Sequence, residues 1–212
     1  MTFEDLKQQS LEEWQRIRHH PMVVQIGKGT LDHTRFRTFI QQDAIYLTDF
    51  SRVLARLASL APDTAAARVM LRHADNVFQV ESSLHVDVAE ALGIDADDLG
   101  RGETGLATKA YTDHLVRTAL EGAFPPALAA VLPCYWTYAA IGVELKAEGI
   151  PSDPILRDWI FTYSGDEYQS SVAEVVALWD RLAVPGDDTR SAQAFHWSMV
   201  YERLFWEQAY GA

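Results

Sequence analysis

Only one cysteine, Cys134, occurs among the 212 residues. No disulfide can close within the chain, which fits a reducing compartment and leads us to expect a cytoplasmic protein. Basic side chains are scarce as well: 18 Lys and Arg stand against 30 Asp and Glu, a formal charge of −12. Nucleic acids and anionic membranes demand clustered positive charge, so neither is an expected partner. The opening Met1-Thr-Phe-Glu-Asp-Leu-Lys lacks the basic start and apolar run of a secretory signal. No segment alternates apolar and polar residues as a half-buried strand would, and there are no repeats or low-complexity stretches. Charge is missing altogether from Gly122 to Val143, which approaches the length of a membrane span. Pro125, Pro126 and Pro133 interrupt that stretch, and it carries Cys, Thr and two Tyr. A helix buried in a soluble core is therefore expected there.

What the chain does have is helical period almost throughout, with 48% hydrophobic and 23% charged residues. A first helix is expected over about Thr2 to Arg18, stopping at His20-Pro21, because proline disfavours helical geometry in the residue before it. Gly27 and Gly29 read as a loop. Asp32 is a good N-cap for a long helix from His33 to about Leu60. Pro62-Asp63 starts another, running to Leu92 and ended by Gly93. Further helices are expected at about Thr108 to Leu120, from Pro125-Pro126 to before Gly149, from an N-cap at Ser152-Asp153-Pro154 to Ser164-Gly165, from Asp166 as its cap to before Pro185-Gly186, and from about Thr189 to Tyr210. The expectation is an all-α bundle forming a single domain over residues 1–212.

The informative residues are polar ones on apolar faces. Phe36, Phe39, Ile40, Leu47, Phe50, Leu54 and Leu57 form the stripe of the second long helix, and Asp43 lies on it. An inward carboxylate must be paired or used, since burying it alone is unfavourable by several kcal/mol. In the last helix Met199, Phe205, Trp206 and Ala209 define a face that contains Glu202, while Glu207 falls outside it. Desolvation raises a carboxyl pKa and lets the group donate a proton near neutral pH. Cys134 shares its side of the apolar helix with Ala130, Val131, Tyr138 and Ile141, one turn from the Tyr138 phenol. A lone buried Cys is most often a small hydrophobe, and a buried Tyr is most often a core residue with a satisfied hydroxyl. A thiol, two inward carboxyls and the phenols of Tyr46, Tyr111, Tyr138 and Tyr163 together suggest a pocket for a flat, polar, aromatic ligand.

Other constellations read as structural. Glu81 and His85 are spaced i, i+4, with His73 two turns earlier, yet no matching Glu-x-x-His occurs on another helix, as a di-iron bundle would want. His20 in the His19-His20 pair precedes a proline at a helix end and reads as a cap. Gly27-Lys28-Gly29-Thr30 is too short for a phosphate loop.

The chain resembles the TenA (thiaminase II, or aminopyrimidine aminohydrolase) family over nearly its whole length. The matching pieces are His20-Pro21 with Gly27 to Leu31, Phe36 to Gln42-Asp43-Ala44-Ile45-Tyr46-Leu47, and Glu81 to His85. They continue with Tyr111 to His114, Leu132 to Tyr138, Trp159 to Tyr163, and Ser198 through Tyr201-Glu202 to Tyr210. The resemblance implies a haem-oxygenase-like bundle that binds no haem, needs no metal or organic cofactor, and assembles as a homotetramer. It implies hydrolysis of 4-amino-5-aminomethyl-2-methylpyrimidine to the hydroxymethylpyrimidine and ammonia, with slower cleavage of thiamine. By the same resemblance Cys134 looks like the nucleophile, Glu202 the acid/base and Asp43 the group that holds the ring nitrogen and amino edge. Tyr111, Tyr138 and Tyr163 look like ring-orienting residues, and Tyr46 and Phe205 like walls. A carboxylic acid that protonates the ring nitrogen would open a ring carbon to sulfur, expel the amine, and admit water to the exocyclic methylene. The rival readings are a relative that binds or hydrolyses another aminopyrimidine, a regulator of gene expression, and a metal oxygenase on the same bundle.

Overall fold

Side chains placed ahead of apolar runs act as helix caps. In the computed structural model, which describes residues 1–95, 98–182 and 188–211 apart from the side chains of 78–90 and 188, the Asp32 carboxylate accepts from the Thr34 N–H at 2.7 Å. It opens α4 (His33–Leu60). Asp153 accepts from both Ile155 and Leu156, with Pro154 in the first turn of α8 (Pro154–Ser164). Between and around these lie α1 (Phe3–Gln9), α2 (Leu11–Arg18), α3 (Pro21–Lys28), α5 (Thr64–Ala91), α6 (Leu106–Leu120), α7 (Phe124–Glu148), α9 (Asp166–Leu182) and α10 (Asp188–Tyr210). No strand occurs among the described residues. The architecture is the expected all-α bundle.

Three boundaries differ from those expected. The single helix over Thr2–Arg18 breaks at Ser10, which is buried and leaves helical geometry at φ −112°, ψ 18°. The break turns Phe3 and Leu6 toward α9 and α10, where the Phe3 N–H donates to Asp180 at 2.8 Å. Residues 21–28, expected to run into a loop, form α3. Pro21 is pre-set for a first turn, the His20 ring nitrogen Nδ1 accepts from the Met22 N–H at 3.2 Å, and Gly29 closes the helix in the left-handed conformation at φ 66°. Asp166 is the first residue of α9, not a cap ahead of it.

The uncharged stretch becomes α7, whose Leu128, Ala129, Val131, Leu132 and Ile141 are almost wholly buried. It is long and apolar enough to cross a membrane, but 72% of its most apolar window is buried within the bundle. Helices α6, α8, α9 and α10 pack around it, and α4 lies across α5 and α6. The buried apolar cluster extends from Phe3 to Ala209.

Glycine sets how closely two helices meet α7. A Cβ on Gly27 would come 2.7 Å from Leu145 Cδ2, so α3 lies against α7 there. A Cβ on Gly142 would come within 2.7 Å of the Tyr163 carbonyl carbon and 2.8 Å of the Ser164 nitrogen. The two positions should respond differently to alanine. At residue 27 the obstacle is the end of a flexible side chain, and the gain in helix propensity of up to ~1 kcal/mol offsets the crowding. At residue 142 the obstacle is backbone, and overpacking costs about 1–3 kcal/mol. Urea denaturation should show Gly142→Ala clearly less stable than Gly27→Ala; equal midpoints would overturn this account of the α7–α8 contact.

Candidate active site

Five helices bring their inward polar groups to one place. Helix α4 contributes Asp43 and Tyr46, both buried, and α6 contributes Tyr111. Helix α7 contributes Cys134 and Tyr138, α8 contributes Tyr163, and α10 contributes Glu202 and Phe205. Each position follows from the apolar stripe of its own helix, since a residue spaced three or four from core neighbours shares their direction. The aromatic members touch. Tyr46 lies 4.9 Å from Tyr111 and 6.0 Å from Phe205 between ring centroids, and Tyr138 lies 5.0 Å from Tyr163.

At the centre, the Tyr111 hydroxyl donates to Glu202 Oε1 at 2.8 Å. Glu202 is 1% exposed. Burial raises its pKa from an ordinary 4.5 to about 8, the Tyr111 hydrogen bond opposing that shift and the Asp43 carboxyl adding to it. The Cys134 thiol is also pushed well above its ordinary value, first by burial and then by Glu202 and Asp43. Cys134 nevertheless keeps partial access to its surroundings, being half-buried. The Tyr46 hydroxyl sits beside Cys134 and Tyr111 but makes no hydrogen bond of sound geometry to either. Burial raises the phenols of Tyr46, Tyr111, Tyr138 and Tyr163, so all four are neutral donors. The resting site thus holds a protonated thiol, a protonated carboxyl and uncharged phenols.

Sequence reasoning left out part of the aromatic wall. Phe39 stacks on Trp206 at 4.8 Å, and Trp159 lies 4.7 Å from Tyr163. The buried indole N–H groups of Trp159 and Trp206 have no hydrogen-bond partner. Phe39 and Trp206 were visible on their helical stripes, but only as core. Tyr168, whose ring is 4.9 Å from Tyr163, carried no periodic signal, because the apolar face of α9 begins after it. Glu207 is partly exposed and paired with Arg203, as its off-face position suggested.

The alternative constellations resolve differently. His20 is the α3 cap. Both ring nitrogens of His73 are taken up by Tyr135 and Glu174. Glu81 and His85 have side chains outside the described residues, and among the described residues no three His, Cys, Asp or Glu cluster as metal ligands would. Two surface recesses, one of about 170 Å³ between α3 and α7 and one beside the start of α10, are lined by none of the site residues.

The core of this helical bundle thus holds a thiol and two carboxyls among aromatic rings. Residues 7–212 match the TENA/THI-4/PQQC family, and the chain belongs to it. It is 35% identical over 210 residues to the aminopyrimidine aminohydrolase of Bacillus subtilis (strain 168), covering 98% of this chain and 89% of that one. The TenA homologue from P. horikoshii OT3 superposes with a TM-score of 0.91 at 30% identity, covering 98% and 97% of the two chains. A protein from Shewanella denitrificans OS217 described as having a heme oxygenase-like fold superposes at TM-score 0.80 and 15% identity, which bears on the fold alone; 100% of this chain and 93% of that one are covered.

The Glu202 pKa makes stability depend on pH in a defined direction. Between about 4.5 and 8 the folded protein holds a proton on Glu202 that the unfolded chain has released. This group's contribution therefore declines as pH rises through that window, by up to ~1.4 kcal/mol per unit. Glu202→Gln keeps an acceptor for Tyr111 and removes the titration. Denaturant unfolding should find the variant close to wild type at pH 5 and more stable than wild type at pH 8; a stability difference that does not change with pH would exclude the buried carboxyl as its source.

Proposed function

We propose that this chain hydrolyses 4-amino-5-aminomethyl-2-methylpyrimidine to 4-amino-5-hydroxymethyl-2-methylpyrimidine and ammonia, and cleaves thiamine more slowly. The observation that carries the proposal is the meeting of the Cys134 thiol with Glu202, a carboxyl protonated up to about pH 8, and Asp43 in one aromatic enclosure. The likeness to relatives named aminopyrimidine aminohydrolase supports the same reading.

In this reading the planar ring lies among Tyr138, Tyr163 and Phe205, and Asp43 holds its ring-nitrogen and amino edge. Glu202 gives its proton to a ring nitrogen, which makes the neighbouring ring carbon electron-poor. Sulfur of Cys134 bonds to that carbon, and the thiol proton passes to the aminomethyl nitrogen. The C–N bond breaks and ammonia leaves, its bonding pair departing with nitrogen and the ring electrons forming an exocyclic methylene. Water adds to that methylene and gives a proton to the Glu202 carboxylate. The C–S bond then breaks, aromaticity returns, and the ring-nitrogen proton goes back to sulfur. Because the thiol rests in its neutral form, its proton loss is coupled to attack and does not precede it.

Ammonia release from this substrate, run beside thiamine, tests the proposal. Wild type should turn over the aminopyrimidine faster than thiamine, and the rate should fall above about pH 8 as Glu202 loses its proton. Cys134→Ala and Glu202→Gln should each lower kcat at least about a hundredfold. A wild type inert on both substrates would leave another aminopyrimidine as the ligand to find.

We further propose a homotetramer. The exposed Leu120 and Trp197, with the partly exposed Val116, place apolar area on the paired α6 and α10, the kind of surface a second copy covers. Light scattering should give four times the 23.8 kDa chain mass; a monomer mass would sink the assembly.

A further inference from the structure

The turn of α7 that carries Cys134 is gripped from three sides. From α5, His73 approaches the Tyr135 hydroxyl with Nδ1 at 3.0 Å and the Glu174 carboxylate of α9 with Nε2 at 2.9 Å. The Tyr168 hydroxyl, also from α9, is 3.4 Å from the carbonyl oxygens of both Cys134 and Tyr135. From α10, Ser198 donates to the Ala130 carbonyl at 2.7 Å. Pro133 lies inside the helix and has no N–H, so this turn lacks one rung of its own ladder. The outside contacts reach residues on either side of that missing rung.

The charges around His73 fix what each of its nitrogens does. Burial alone would raise the Glu174 carboxyl, but hydrogen bonds from Arg72 and His73 bring it below its ordinary value. It is ionised at neutral pH and can only accept, so His73 Nε2 carries the hydrogen. Burial holds the His73 pKa down against the pull of Glu174, and the ring is neutral. Its Nδ1 is therefore a bare acceptor, and the Tyr135 O–H donates to it. Arg72 completes the group by an ion pair to the other Glu174 oxygen.

We propose that His73, held in one tautomer by Glu174, is a positioning residue that anchors Tyr135 and thereby sets where the adjacent Cys134 thiol stands in the pocket. Neither His73 nor Tyr135 touches the reacting atoms in the proposed reaction. The inference rests on Cys134 being the nucleophile, as proposed above.

Cys134 is the only cysteine, so iodoacetamide alkylation reads one atom and needs no substrate. Tyr135→Phe removes a single oxygen, His73→Leu removes the acceptor, and His73→Asn returns an acceptor oxygen near the Nδ1 position. Tyr135→Phe and His73→Leu should lower kcat about tenfold with KM within about twofold, and change the alkylation rate of Cys134 at least about threefold. His73→Asn should recover most of the lost kcat. If His73→Leu does not fold, Tyr135→Phe alone decides. A folded Tyr135→Phe protein with wild-type alkylation and turnover, or a loss confined to KM, would overturn the role. Should wild type release no ammonia, the substrate assignment fails, yet the alkylation comparison still decides whether His73 places the thiol.

Discussion

A helix with no charged residue for more than five turns has little to offer water, and the rest of the bundle buries most of it. Helix α7 is surrounded by α6, α8, α9 and α10, and its own small residues let them come close, most tightly at Gly142. The consequence for chemistry is direct. Any reactive group on α7 is desolvated by the same packing that stabilises the fold, and Cys134 and Tyr138 both sit there. The electrostatics of the site begin with this enclosure; its charges act within it.

Within that enclosure the proximity of the Asp43 carboxyl adds to the burial that keeps a proton on Glu202. The same carboxyls help hold the thiol proton in place. A cation-lined site would have favoured a resting thiolate. This one stores protons where a basic heteroaromatic ring would need them, and the Tyr111 hydroxyl limits the effect by donating to Glu202. Proton placement is therefore a property of four helices at once.

Much of this was legible in the residues. The caps Asp32 and Asp153, the inward settings of Asp43 and Glu202 and the burial of the uncharged helix all follow from spacing within one element, and all were found. What spacing could not show depended on partners distant in the chain. The break at Ser10 answers to α9 and α10, and the helix over Pro21–Lys28 is short enough that Gly27 within it and Gly29 just after it looked like a loop. Gly27 is in fact where α3 approaches Leu145. His73 was visible only as a possible metal ligand, because Tyr135 and Glu174 lie on other helices. Phe39 and Trp206 were legible as core and Trp159 only within a stretch resembling the family; the pairing that makes them a wall appears only on assembly.

The site draws on α4, α6, α7, α8 and α10, with the Cys134 segment made well before the Glu202 segment. During synthesis the thiol leaves the ribosome ahead of the acid that is to share its pocket. Until α10 docks, that sulfur lacks part of its apolar cover and the Glu202 carboxyl that helps hold its proton. A chain still lacking α10 would then carry a more accessible cysteine, and the finished bundle a guarded one. Folding in this protein would quiet its thiol toward indiscriminate reagents in the same event that equips it for a chosen substrate.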